Sequence, residues 1–178
     1  TSAITMTLTG LTLGAAQAAT TAGFKMSSSA DAASTAGKDA AAIISRMAGF
    51  ASITLSTDVS GSTVAPVLVF TPATTVPIGG TITLTMPAGY FLGTVTSIAS
   101  GVTSLTATST PAATATSTSI VLTTAGAATG TAAITMTLTG LTLGAARAIV
   151  PGGFKLSSSA DAASTPGLDT VAITGILF

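Results

Sequence analysis

The chain has 178 residues and a mass of 16.9 kDa, and five Lys or Arg balance five Asp to a formal net charge of zero. Charged residues make up 6% of it, against roughly a quarter of an ordinary globular domain. The absence of His and Cys excludes an imidazole base, a thiolate nucleophile and ordinary zinc, haem or iron–sulfur ligation, so no cofactor is expected. Five cations cannot track a phosphate backbone, which excludes nucleic acid as a partner.

The remaining composition is apolar and hydroxylic. Apolar residues account for 47%, and 37 Thr with 20 Ser supply most of the polarity. Mean hydropathy is +0.78, yet every apolar run is interrupted by Thr, Ser, Gly, Pro or a charge, so no membrane-spanning helix is expected. No basic segment followed by an apolar core opens the chain, so a leader is expected to be absent or removed. So few charges leave a free monomer little colloidal protection, which points to glycans or self-assembly covering the surface.

Residues 1–48 return without a gap as residues 131–178, with 32 of the 48 positions identical. A repeat at fixed spacing is the signature of a tandem array. The expected organisation is therefore residues 1–50 as the C-terminal part of a preceding repeat, and residues 51–178 as one complete repeat. Within the first part, Ile4, Met6, Leu8, Leu11 and Leu13 form the apolar positions of a strand whose sheet partners a fragment lacks. They are the candidate inter-subunit strand. The Ala-rich stretch Ala30–Ile44 could read as a helix, but its duplicate carries Pro166, Gly167 and Val171, which breaks that reading.

From residue 51 onward every element reads as β. Ala51–Ser56 alternates apolar and hydroxyl side chains, as a half-buried strand does, and Val67–Phe70 is a short buried-strand run. Thr81–Met86 alternates strictly between the Gly79–Gly80 turn signal and Pro87–Gly89. Thr118–Thr123 follows, then Ile134–Leu143 with a bulge or bend expected at Gly140. Gly153–Ser159 and Val171–Ile176 complete the set. Short strands with Gly, Pro and Ser punctuation argue for an all-β protein, an antiparallel sandwich of Ig-like type in tandem repeat.

A strand, then Phe70-Thr-Pro72, then the run Gly79 to Phe91, and later Thr137 to Gly144, resembles the tandem Ig-like sandwich repeats of secreted and cell-surface proteins in bacteria, algae and other protists. The resemblance covers residues 51–162. It implies an extracellular, structural or adhesive role and defines no ligand.

Candidate chemistry is sparse. Asp31, Asp39, Asp58, Asp161 and Asp169 lack the close spacing of a calcium loop and suit turns and strand ends, with a weak calcium site at Asp161 the only rival. Lys25 beside Ser27 and Lys155 beside Ser157 are the only nucleophile–base pairs the composition permits, and lysine suits a solvated strand edge equally well. With no Asn, N-linked glycosylation is impossible. The Ser/Thr-rich tract 103–119 has the composition of an O-glycosylated segment. Candidate acceptors are Thr103, Thr106, Thr108, Thr110, Thr114, Thr116 and Thr118, with Thr71 and Thr165 each beside a proline.

Three Thr-x-Thr rows recur: Thr5, Thr7 and Thr9; Thr81, Thr83 and Thr85; Thr135, Thr137 and Thr139. Such rows can bind ice, but they also satisfy β propensity on an outward face while Ile, Met and Leu turn inward. The expected function is a non-catalytic structural repeat of an extracellular filament, sheath or surface fibre. Its partners would be copies of itself, head to tail, or adjacent tandem repeats, with glycans attached. The alternatives are an adhesin or carbohydrate-binding module using loops 57–65, 87–93 or 103–119, and an ice-binding protein.

Overall fold

The computed structural model describes residues 5–11, 17–30, 35–42, 46–100, 105–107, 112–114, 116–126 and 129–175, and among these there is no helix. The chain divides into two compact units, Thr1–Ile44 and Ser45–Phe178. The division falls ahead of residue 50 because Met47 and Phe50 are buried in the core of the second unit.

The first unit carries one antiparallel hairpin. Strand β1 (Thr20–Phe24) pairs β2 (Lys38–Ala40), with Thr20 opposite Ala40, Phe24 opposite Lys38 and an irregularity between. The irregularity sits at Ala22, whose φ is +54°, a conformation costing an L-residue about 1–2 kcal/mol.

The second unit holds β3 (Gly49–Thr54), β4 (Thr63–Val64), β5 (Val67–Thr71), β6 (Thr81–Thr85), β7 (Phe91–Ser100), β8 (Leu105–Ala107), β9 (Ala112–Ala113), β10 (Ser119–Gly126), β11 (Ile134–Leu143) and β12 (Lys155–Ser158). They form two antiparallel sheets. One is ordered β12-β6-β10-β8; the other is ordered β3-β5-β11-β7-β9, with β4 also paired to β11. Alternation does what the sequence pattern asks of it. Ile82 and Leu84 of β6 are buried while Thr85 is exposed, and Ile134, Met136 and Leu138 of β11 are buried while Thr135 is exposed. Both sheets turn these apolar faces into one core, which also takes Phe70, Phe91, Ile120, Leu122, Phe154 and Leu156. Burial at roughly 25 cal/mol per Å² of apolar area drives that arrangement.

Strand β11 lies between β5 and β7, with Met136 opposite both Leu68 and Ser100. The expected bulge is present. Against β7, Thr139 faces Ser97 and Leu141 faces Gly93, so Gly140 stands opposite residues 94–96. Its φ is +88°, and a Cβ there would run into the Thr94 carbonyl oxygen. This is a position only glycine fills without strain.

Several elements depart from the sequence expectation: the short strands β4, β8 and β9 form where none is expected, and residues 5–11, expected as a strand, pair with no other strand and form none. Strand β7 arises where no strand is expected. The bulge is the reason: Phe91 and Val95 point inward, then Ile98 does so in the opposite phase, facing Leu138, which destroys the period-2 signal. Ala51–Ser56 begins earlier, at Gly49, with its own register shift between Phe50 and Ser52. Val171–Ile176 does not form a strand over its described residues. Ile173 bridges Arg147 and Thr174 bridges Val59 as isolated pairs.

Candidate functional site

Asp161 is fully buried. Its Oδ2 accepts from the Ala73 and Thr74 N–H groups at 3.0 and 3.1 Å. Those donors tie the loop between β5 and β6 to the turn after β12, and the Ser158 hydroxyl accepts from the Asp161 N–H at 2.9 Å. A carboxylate oxygen engaged by two backbone donors serves the turn role rather than the calcium rival. Among the described residues no group of three or more His, Cys, Asp or Glu could hold a metal ion.

A second polar focus surrounds Tyr90. Its ring meets Phe91 and Phe154 edge-on, each at 4.9 Å between centroids. The hydroxyl donates to the Val171 carbonyl at 2.9 Å, and the Arg147 guanidinium stands 5.7 Å from the ring centroid while donating to the Ala88 carbonyl. Burial pushes the phenol above its ordinary value of 10.0, against the lowering effects of the Val171 hydrogen bond and of Arg147. This is a packed joint, with Tyr90 and Phe91 fully buried. Neither can stack on a sugar from the 87–93 loop. Phe24 is the one exposed aromatic among the described residues.

Hydroxyl side chains cover the outward faces. In β6 and its neighbours, Thr85 lies opposite Ser119 and Lys155, and Thr83 lies opposite Val121 and Ser157. Lys155 is exposed on β12, an edge strand, the solvated-edge position weighed against a Ser–Lys pair. On the other sheet the Thr139 and Ser97 hydroxyls share a hydrogen bond of 2.6 Å.

The candidate O-glycosylation sites divide. Thr114, Thr116 and Thr118 are exposed, although the Thr114 hydroxyl is engaged by Ser117 at 3.0 Å. Thr71 is half-buried at the end of β5. Thr165 is buried, its hydroxyl accepting from the Leu156 N–H at 3.0 Å. That corrects its assignment: proline adjacency says nothing of burial, and a transferase cannot reach it in the folded unit. Thr103, Thr108 and Thr110 lie outside the described residues, and Thr106 lies in β8.

The candidate inter-subunit strand gives the clearest result. Met6, Leu8, Leu11, Phe24 and Met26 are 60, 65, 76, 68 and 60% exposed; their duplicates Met136, Leu138, Leu141, Phe154 and Leu156 are all at 0%. Ile4 and Leu13 lie outside the described residues. Thr5, Met6, Leu8, Phe24, Lys25 and Met26 line a concavity of about 750 Å³ within the first unit. These side chains form an exposed apolar patch on the first unit.

Local geometry is nonetheless the same in both copies. The Ala22 N–H donates to Asp39 Oδ1 at 2.9 Å, as Gly152 does to Asp169 at 2.8 Å. The Met26 N–H donates to Thr35 Oγ1 at 3.1 Å, as Leu156 does to Thr165. Phe24 pairs with Lys38 as Phe154 pairs with Leu168, and Gly10 keeps a φ of +76° as Gly140 keeps +88°. Long-range partners distinguish the copies, and these local hydrogen bonds do not; the Val150 N–H to Thr170 hydroxyl bond at 2.8 Å has no counterpart because Ala40 stands for Thr170.

No protein-family model and no curated protein matches the sequence. Among solved structures, the crystal structure of BslA, a bacterial hydrophobin, aligns with a TM-score of 0.38 and 14% identity, over 70% of this chain and 95% of that one. At that similarity it fixes neither a fold family nor a role. No helix of the described residues is long and apolar enough to cross a membrane.

Proposed function

We propose that the protein is a non-catalytic structural unit of an extracellular filament, sheath or surface fibre, built from Ig-like sandwich repeats in tandem and carrying O-linked sugars. One observation carries the reading: a single repeated sequence is closed into a core in one unit and left with its apolar side chains exposed in the other. In a tandem array a segment that has no frame of its own is covered by a neighbouring repeat. Two antiparallel sheets around one core are what an Ig-like sandwich requires.

The surface chemistry fits the same role. Hydroxyl-rich outward faces with few charges hydrate weakly and repel one another little, which favours association. Sugars on exposed threonines such as Thr116 and Thr118 would supply the hydration that charge does not.

Electron microscopy of native material tests this. Fibres or sheets with a regular axial repeat are the expected result. Dispersed single particles at every concentration would overturn it.

A further inference from the structure

The exposed apolar side chains of the first unit have duplicates whose partners are visible. Met136 sits between β5 and β7, Leu138 faces β7, Leu141 faces Gly93 and Val64, and Leu156 faces Leu84 of β6. All of those partners lie within residues 45–130. The second unit is thus an open frame, 45–130, shut by a closing segment, 131–175. Residues 1–44 are a second closing segment of the same sequence type, already holding the Phe24–Lys38 pairing, the two side-chain hydrogen bonds and the positive φ at Gly10 that answer to those of the docked one.

Stoichiometry then selects the partner. Residues 1–178 hold two closing segments and one frame. Copies of these 178 residues alone, exchanging segments in any pattern, leave one closing segment per copy uncovered. We propose that residues 1–44 form the docking surface for a polypeptide segment of the 45–130 kind that lacks its own closing segment. Met6 would enter between its β5 and β7 equivalents, Leu8 against its β7 equivalent and Leu11 between its β4 and β7 equivalents, and Met26 would lie against its β6 equivalent. This rests on the reading of the protein as a repeat assembly, and it names the partner that such an assembly must supply. The interface is the one already formed inside the second unit, so its register is specified: Gly10 takes the place of Gly140, against the carbonyl oxygen of the Thr94 equivalent.

The test joins a copy of residues 45–130 directly ahead of Thr1, reproducing the junction between residues 130 and 131, and compares hydrogen exchange in this extended chain with the 178-residue chain. The amides of residues 5–11 are expected to exchange at least ~10³-fold more slowly in the extended chain, as core strands do relative to unpaired segments. Gly10→Ala is expected to abolish that protection in the extended chain and to leave the second unit of the 178-residue chain unchanged. Exchange of residues 5–11 at equal rates in both chains would overturn the proposal. So would protection that Gly10→Ala leaves intact, since it would arise in another register. The second unit of the same chain is the internal control: protection of β11 there shows that the frame has folded, so a negative result reports on residues 1–44. Native fibres together with unprotected amides would leave the assembly standing and remove this partner from it.

Discussion

The Tyr90 hydroxyl donates to the main-chain carbonyl of Val171 at 2.9 Å, joining the start of β7 to a segment 81 residues away in sequence. The phenol titrates above its ordinary value because burial disfavours the phenolate. Its folded-state value therefore exceeds its unfolded one. The stability it contributes is fully present below about pH 10 and is lost as pH rises through the raised value. Urea melts of the native protein should weaken above pH 10. In Tyr90→Phe that alkaline loss should shrink, while neutral-pH stability falls by about 1 kcal/mol for the missing hydrogen bond.

Asp161→Ala would leave the Ala73 and Thr74 donors without their carboxylate. Hydrogen bonds to charged groups contribute about 1.5–3 kcal/mol, so a loss of about 2–4 kcal/mol is expected by urea denaturation. Asp161→Asn retains one acceptor oxygen and should lose less.

Gly140→Ala and Gly10→Ala form a matched pair. Both place an alanine at positive φ, costing about 1–2 kcal/mol. Only at Gly140 does the new Cβ also meet backbone and the Thr96 side chain; at Gly10 nothing lies within 4 Å. Thermal melts should show Gly140→Ala lowering the main transition strongly, by about 3 kcal/mol or more, while Gly10→Ala leaves it in place.

Mass spectrometry of native material should find sugars on peptides containing Thr116 and Thr118. Thr165 should be unmodified, because its hydroxyl is buried against the Leu156 amide. Modified Thr165 would mean that glycosylation precedes folding.

Where alternation was uninterrupted, sequence and structure agree: Ile82 and Leu84 inward with Thr85 outward, Ile134 to Leu138 likewise, and Gly140 as the bulge. Strand β7 was not legible. Its inward positions change phase after Val95, where residues 94–96 of β7 stand opposite the single Gly140 of β11, a register that no local pattern announces. The buried Tyr90 was equally hidden, since an aromatic between Gly89 and Phe91 reads the same whether it stacks on a ligand or on Phe154. Thr165 shows the same limit. Its engagement depends on Leu156, nine residues earlier, which no proline rule registers. The exposure of Met6, Leu8 and Leu11 follows from the duplicated sequence, whose second copy buries the same positions against strands that residues 1–44 do not contain.

The placement of β11 at the middle of its sheet also has a kinetic side. Strands β5 and β7 precede it in the chain, so the sheet cannot be completed until residues 134–143 have been synthesised. Folding that waits on distant segments is slow and exposes unpaired edges meanwhile. The same ten-residue sequence stands at 4–13 and is synthesised earlier. Selection between them falls to the positions where the copies differ. Leu168, packed against the core, answers to Lys38, and buried Thr170 answers to Ala40. Leu168 packs on the core and the Thr170 hydroxyl accepts from the Val150 N–H at 2.8 Å, two contacts for which Lys38 and Ala40 lack the groups.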